Sequence, residues 1–110
     1  MGVNQAERYG VYWVNLDPTK GHEIAKTRPC VVVSPDQLNR HLQTVIVAPV
    51  TSTSKDYPWR VKCKVAGKWG TIATDQLRTI DKERLEGLIS RLDSSESEAL
   101  LEVLRQMFQE

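Results

Sequence analysis

The fold is decided by the stretch Gly21–Pro35, which reads GHEIAKTRPCVVVSP. Its second half, Cys30–Val33, is a short apolar run rich in β-branched residues, as expected of a strand that is buried on both faces. Pro29 favours an extended backbone at Arg28 and lacks a ladder donor at the first position of the strand, where that loss is tolerated. The stretch therefore predicts a rigid strand whose beginning carries Arg28.

The polar loop before this strand carries groups that transfer protons or hold phosphate. His22 and Glu23 lie six and five residues before Arg28, and Lys26 lies two residues before it. The loop over residues 17–27 is long for a hairpin connection, and long loops in compact domains are often functional. The pattern predicts a catalytic site where this loop meets the strand.

Outward from this stretch, apolar alternation and short apolar runs predict further strands. They lie over Tyr9–Leu16, Val45–Val50, Trp59–Val65, Thr71–Asp75, Leu77–Ile80 and Leu85–Leu92. In the third of these, alternation places Trp59 on the core side. The same alternation predicts an outward basic row of Arg60, Lys62 and Lys64.

Two helices are predicted. Ser34 followed by Pro35 predicts the start of a short helix that reaches His41. Near the C-terminus, Ser95 and Glu98 have the spacing of a capping box. Apolar residues at helical spacing follow, namely Leu100, Val103, Leu104, Met107 and Phe108. Many short strands with one clear terminal helix predict a mainly β fold (β-rich α+β), a small twisted antiparallel barrel with a C-terminal helix.

Length and composition bound the class of protein. The 110 residues predict a single domain over 1–110, with a core that needs no metal or disulfide. The longest apolar run, Thr44–Val50, is too short to cross a bilayer, and the N-terminus lacks an apolar signal region, so we expect a cytoplasmic protein without membrane contact. Cys30 and Cys63 are predicted to be reduced core residues, and their order with His22 and His41 matches no structural zinc site. We therefore predict neither a metal nor a cofactor.

The formal net charge of +1 hides an uneven distribution. Residues 1–80 hold 11 Lys and Arg against six Asp and Glu, a balance of +5, whereas residues 81–110 hold four against eight, a balance of −4. The basic part indicates a surface that faces phosphate, with the acidic part turned away from it. The alternative is a terminal helix whose acidic face is simply solvated.

Three separated blocks of the sequence carry a family resemblance. They read WVNLDPTKGHEIAKTRPCVVVSP from Trp13, VIVAPVTST from Val45 and DQLRTID from Asp75. In this order and spacing, between about Gly10 and Ile80, they closely resemble the MazF/PemK (Kid-like) toxin family of type II toxin–antitoxin systems. The resemblance implies a homodimeric SH3-like barrel and a metal-independent endoribonuclease, which cleaves single-stranded RNA at short sequences and is neutralised by a cognate MazE/PemI-like antitoxin.

Metal-independent cleavage of RNA uses the substrate's own 2′-hydroxyl as the nucleophile. The products are a 2′,3′-cyclic phosphate or 3′-phosphate and a 5′-hydroxyl, and the protein supplies a base, an acid and a cation for the phosphorane oxygens. Arg28 matches the essential arginine of the family. Because a guanidinium rarely releases its proton, we expect it to act as a fork-like clamp on the phosphorane. The alternative is an ordinary salt bridge at the end of a strand.

Three further positions match catalytic residues of the family. His22 coincides with the histidine of PemK-like members, and imidazole is the side chain best suited to acid–base chemistry near neutral pH, although a solvated loop histidine is the alternative. Glu23 also matches the motif, and we expect it to orient the Arg28 guanidinium or to have a structural role. Thr51 corresponds to the catalytic-site threonine, with Ser52 as its weaker neighbour; the alternative is a turn residue.

Asp75 matches the aspartate that PemK-like members use as a general base. Those members place an arginine two positions before it, where this chain has Ala73. The departure favours a mechanism built on Arg28 and Thr51, in which Asp75 braces a strand or contacts the 2′-hydroxyl.

Substrate binding is expected to use basic and aromatic side chains. The candidates for phosphate contacts are Lys20, Lys26, Lys55, Arg60, Lys62 and Lys64. Tyr57 and Trp59 are candidates to stack on bases, although for Trp59 we favour a position in the core. A rival function is a non-enzymatic, protein-binding toxin on the same fold, like the gyrase-poisoning CcdB family, which would need neither the cluster from His22 to Arg28 nor Thr51.

Overall fold

The computed structural model describes residues 5–52 and 56–110, and strands dominate them. The strands are β1 (Gly10–Asn15), β2 (Thr27–Val32), β3 (Thr44–Thr51), β4 (Val61–Val65), β5 (Lys68–Ile72), β6 (Arg78–Asp81) and β7 (Leu85–Arg91). The helices are α1 (Asp36–His41) and α2 (Ser94–Met107). Single 3₁₀ turns at Thr74–Gln76 and Lys82–Arg84 precede and follow β6.

The strands form one curled antiparallel sheet. Their order is β4-β5-β3-β2-β1-β7, and β6 pairs with the first half of β3. The long β3 joins both parts of the sheet, because Thr44–Val47 pair with β6 whereas Val50 and Thr51 pair with β5. The predicted mainly β fold with a C-terminal helix is confirmed as a curled antiparallel half-barrel.

The core lies on both faces of β2. Val31 belongs to one cluster of buried apolar residues, which Leu100 of α2 joins, whereas Cys30 and Val32 belong to a second cluster. All three β2 side chains are completely buried, as the β-branched run predicts. Because both faces are covered, β2 is a fixed central strand from which the neighbouring loops project.

The beginning of β4 differs from the prediction. The strand starts at Val61, and Trp59 lies before it with 41% of its surface exposed. The predicted alternation holds within the strand, where Val61, Cys63 and Val65 are buried and the lysines between them are exposed. Trp59 is therefore not a core residue, and its large apolar ring is presented to solvent.

The helix starts also differ from the prediction. Ser34 does not cap α1: its hydroxyl donates to Asn39 Oδ1 at 2.5 Å and accepts from the Ile46 N–H at 3.0 Å. The capping box of α2 is formed by Asp93 and Glu96, two residues before the predicted pair. Within the described residues, neither helix is long and apolar enough to span a membrane.

We expect Gly70→Ala to destabilise the protein by about 1–3 kcal/mol, because its new Cβ would overpack a filled space. A Cβ built at Gly70 lies 2.7 Å from Val50 Cγ1 and 3.3 Å from the Thr51 carbonyl oxygen. Gly87→Ala in β7 is the matched control, since its Cβ meets no atom within 4 Å. Urea denaturation measures both variants, and equal stability of the two would contradict the close packing of β5 on β3.

The two cysteines should resist thiol reagents in the folded state. Burial raises the pKa of the Cys30 and Cys63 thiols to about 12, so almost no reactive thiolate is present at pH 8. We expect negligible labelling by Ellman's reagent in buffer at pH 8 and two thiols per chain in guanidinium chloride. Fast labelling of either thiol in buffer would show that the core opens.

Candidate active site

Arg28 and Thr51 lie at facing ends of neighbouring strands. The β2–β3 register pairs Cys30 with Pro49, and continuing that antiparallel register by two residues places Arg28 opposite Thr51. Both residues line one cleft of about 280 Å³, which we call the Arg28 cleft. The remaining lining is largely apolar and includes Trp13, Ser52, Lys68 and Trp69. The predicted proximity of the arginine and the threonine is therefore present.

One hydrogen bond, from its Nε, holds the Arg28 side chain against the preceding loop. The Nε donates to the Ala25 carbonyl oxygen at 3.2 Å. Over residues 5–52 and 56–110, no carboxylate lies within 4.0 Å of this guanidinium. Within the described part of the chain, Arg28 therefore makes no strand-end salt bridge, and no carboxylate contact neutralises its charge.

The other predicted catalytic residues line a second cleft. His22, Glu23 and Asp75 border a space of about 380 Å³, which we call the His22 cleft. Pro29 lines the Arg28 cleft and Pro49 lines the His22 cleft, so the two clefts adjoin the β2–β3 pair. The five residues therefore form two groups rather than the single cluster that the sequence predicts.

Glu23 holds its own loop instead of orienting Arg28. Its carboxylate accepts the Lys20 N–H at 2.5 Å, and its own N–H donates to the Lys20 carbonyl oxygen at 3.2 Å. These reciprocal bonds close a turn around Gly21, which has a positive φ of 57°. The carboxylate is engaged locally, so the expected contact with Arg28 is not made.

Gln76, which the sequence analysis did not single out, anchors the β1–β2 loop. Its side-chain oxygen accepts the Ile24 N–H at 2.7 Å, and its side-chain nitrogen donates to the His22 carbonyl oxygen at 3.3 Å. Arg78 Nη1 donates to the Leu16 carbonyl oxygen at 2.5 Å in the same region. The position of Gln76 beside Asp75 in the DQLRTID block was the one signal available.

The same loop is tied to the sheet at its beginning. Arg84 Nη1 donates to the carbonyl oxygens of Asn15 and Asp17 at 3.0 and 2.6 Å. Asp17 Oδ1 in turn accepts the Lys26 N–H at 3.2 Å, which draws the two ends of the loop together. His22 therefore projects from a loop whose backbone is fixed at several points.

Asp75 is paired with Arg60 from the start of β4. Arg60 Nε donates to Asp75 Oδ1 at 2.9 Å, and Arg60 Nη2 donates to Asp75 Oδ2 at 3.0 Å. The hydrogen bonds from Arg60 lower the pKa of Asp75, and those bonds raise the pKa of Arg60. A carboxylate in this state is a weaker base than a free one.

The pairing also changes the expectation for Arg60. Only 13% of its side chain is exposed, so it is not part of an outward phosphate-binding row. Lys62 and Lys64 of β4 are exposed as predicted. Lys20 and Lys26 are also exposed, on the β1–β2 loop.

The remaining predicted substrate contacts lie between β3 and β4. Ser52 is exposed beside Thr51, which is the last residue of β3 rather than a turn residue. The Tyr57 ring stacks on Trp59 with centroids 4.8 Å apart and an angle of 12° between the planes. Lys55 lies outside the described residues.

The described residues also bear on metal binding. Over 5–52 and 56–110, no three His, Cys, Asp or Glu side chains converge in a geometry that would hold a metal ion. One cleft is lined by Arg28 and Thr51, and the other is lined by His22, Glu23 and Asp75. These side chains suit the binding of a phosphodiester and the transfer of protons at the attacking hydroxyl and the leaving oxygen beside it.

Comparison with known proteins gives consistent matches. The chain is 40% identical to the endoribonuclease toxin MazF of Escherichia coli K12 over 68 residues, 62% of this chain and 61% of that protein. It is 36% identical to the endoribonuclease PemK of Escherichia coli over 103 residues, 89% of this chain and 76% of that protein. The segment matched to MazF thus spans less than two thirds of that relative.

Solved structures and a family model agree with these matches. The crystal structure of MazF from Deinococcus radiodurans superposes with a TM-score of 0.85 at 25% identity, covering 96% of this chain and 98% of that chain. A MazE–MazF structure from the same organism gives a TM-score of 0.77 at 22% identity, covering 96% of both chains. The model of the PemK-like, MazF-like toxins of type II toxin–antitoxin systems matches residues 7–108. The chain therefore belongs to the PemK-like, MazF-like family of toxins.

Proposed function

We propose that this protein is a sequence-specific endoribonuclease toxin that cleaves single-stranded mRNA without a metal ion. The observation that carries the proposal is the Arg28 cleft, which Arg28 and Thr51 line together and in which, among residues 5–52 and 56–110, no carboxylate lies within 4.0 Å of the guanidinium. The names of the relatives, which are endoribonucleases, support the same activity. The matched region, residues 7–108, supports one toxin domain over nearly the whole chain.

The Arg28 cleft is suited to stabilise the transition state. Attack of the 2′-hydroxyl on the adjacent phosphorus creates a phosphorane with added negative charge on its equatorial oxygens. The guanidinium of Arg28 presents its remaining N–H groups as a fork to the two non-bridging oxygens, and Thr51 donates a further hydrogen bond to one of them. One such preorganised donor is worth about 3–4 kcal/mol in the transition state.

Proton transfer is assigned to the neighbouring His22 cleft. His22 is exposed on an anchored loop, and an imidazole near neutral pH both accepts and releases a proton. It would take the 2′-hydroxyl proton or protonate the leaving 5′-oxygen, a contribution of about 10²–10⁴-fold in rate. An RNA strand that crosses from the Arg28 cleft to the His22 cleft would present its sugar and its phosphate to both groups.

Protein partners follow from the family and from exposed apolar residues. We infer that a cognate MazE/PemI-like antitoxin neutralises the toxin, which otherwise arrests growth, and that the active form is a homodimer. Trp13, Trp69 and Leu88 are 46%, 69% and 43% exposed, and such large apolar groups support contacts with other chains. Two free cysteines and an RNA substrate support a cytoplasmic location.

The rival function, a non-enzymatic toxin on the same fold, receives less support. It would give no role to the Arg28 cleft or to the loop that Gln76 and Arg84 hold in place. Both the family description and the endoribonuclease relatives favour the enzyme.

Arg28→Ala should remove RNA cleavage while leaving the fold intact. The loss of the phosphorane clamp is expected to lower kcat by about 10²–10³-fold. The measurement is the initial rate of cleavage of a long RNA, with circular dichroism and thermal unfolding to verify folding. Arg105→Ala, on the exposed face of α2, is the matched control and should cleave at the wild-type rate. A folded Arg28→Ala protein with wild-type activity would refute the mechanism.

Cleavage should persist in excess EDTA, because the proposed mechanism uses the 2′-hydroxyl of the substrate and no metal-bound water. The cut ends should carry a 5′-hydroxyl, and the upstream fragment a 2′,3′-cyclic phosphate or 3′-phosphate. End-labelling and mass spectrometry of the fragments identify these groups and the recognition sequence. Loss of activity in EDTA that Mg²⁺ restores, with 5′-phosphate ends, would instead indicate a metal nuclease.

A further inference from the structure

One 3₁₀ turn, Thr74–Gln76, holds the start of β4 in place. The Thr74 hydroxyl donates to the Trp59 carbonyl oxygen, and Asp75 accepts two hydrogen bonds from Arg60. Thr74 and Asp75 are consecutive in the turn, and they bond to Trp59 and Arg60, which are also consecutive in the chain. Backbone and side chain are fixed together at this point.

An aromatic stack rests on the gripped segment. The Arg60 guanidinium lies over the Tyr57 ring, 5.3 Å from its centroid, and Tyr57 stacks on Trp59. The Arg60 N–H also donates to the Tyr57 carbonyl oxygen at 3.0 Å, which closes the turn between them. The contacts therefore run without a break from the Asp75 carboxylate through Arg60 and Tyr57 to Trp59.

The end of this stack is open to solvent. Trp59 is 41% exposed, although alternation along β4 would place it in the core. The exposed Lys62 of β4 follows three residues later, with 68% of its side chain accessible. Its ammonium group pairs with the exposed Asp56 carboxylate at 3.2 Å. An exposed indole near an exposed lysine matches the composition of surfaces that stack on bases and attract the phosphate backbone.

We propose that Asp75 is a positioning residue that acts through Arg60 to hold the Tyr57–Trp59 stack as a platform for a nucleobase of the RNA substrate. The inference rests on the proposed function, since it names a base-binding subsite of the same enzyme. It assigns to Asp75 a structural task and gives the general-base role to another group.

The contacts of Asp75 favour this assignment over catalysis by the carboxylate. Both oxygens accept hydrogen bonds from Arg60 in a bidentate pair, which holds the carboxylate in place and occupies one acceptor site on each oxygen. The same pairing lowers the pKa of Asp75, which weakens it as a base. The adjacent Gln76 holds the His22 loop, so one turn also fixes the spacing between the platform and His22.

A double-mutant cycle tests the coupling of the pair. The variants are Asp75→Asn, which keeps the side-chain size, Arg60→Gln, which shortens the side chain, and the double variant; both substitutions remove a charge. Positioning predicts that each single variant raises KM for an RNA oligonucleotide by roughly 10-fold, changes kcat by less than about 3-fold, and that the double variant is no worse than either single one. A general base predicts instead a fall in kcat of about 10²–10⁴-fold for Asp75→Asn alone.

The platform is tested directly at Trp59. Trp59→Ala should weaken binding of a non-cleavable RNA, with a 2′-deoxy sugar at the scissile position, by roughly 10- to 100-fold, whereas Trp59→Phe should retain most of the affinity. Phe108→Ala is the control, because Phe108 is 73% exposed on the C-terminal helix end. Binding is measured by fluorescence anisotropy of a labelled oligonucleotide.

Each outcome decides between the alternatives. Wild-type affinity in Trp59→Ala overturns the platform, and loss of kcat confined to Asp75→Asn makes Asp75 the base. If a pair variant fails to fold, the Trp59 variants still decide whether a base binds there. Cleavage by the wild-type protein and its loss in Arg28→Ala judge the enzymatic function separately, so failure of either idea is visible by itself.

Discussion

The structure depends on the burial of one short strand on both of its faces. Cys30, Val31 and Val32 are fully enclosed, and β2 lies between β1 and β3 in the sheet. A strand in that position cannot shift its register without moving apolar side chains into the wrong cluster. Arg28, two residues before the buried run, is thereby fixed opposite the end of β3. The buried strand holds the backbone from which the guanidinium extends.

The proposed mechanism divides its residues between a cleft built on strands and a cleft built on a loop. The Arg28 cleft takes its polar groups from the ends of β2 and β3, whereas His22 belongs to the long β1–β2 connection. Strand ends are precise, and loops need separate anchors, which Gln76 and Arg84 supply through hydrogen bonds. The proposed mechanism therefore places charge stabilisation on the strands that the core holds and proton transfer on an anchored but exposed segment.

The sequence predicted what depends on local periodicity and missed what depends on distant partners. The buried β2 run and the apolar face of β4 follow from the pattern alone. The pairing of Arg60 with Asp75 joins residues 15 positions apart and left no periodic signal. At α2, two capping boxes with equal spacing compete, and Glu96 is selected because its carboxylate also accepts the Lys64 N–H at 2.8 Å, a contact between elements.

The anchors of the β1–β2 loop determine which substitutions the loop tolerates. They grip backbone atoms: the carbonyl oxygens of Asn15, Leu16, Asp17 and His22 and the N–H of Ile24. Every residue type offers a carbonyl, and all but proline offer an N–H. Most loop positions can therefore be substituted while these backbone hydrogen bonds are kept. Substitutions at the loop surface therefore require no repacking of the interior.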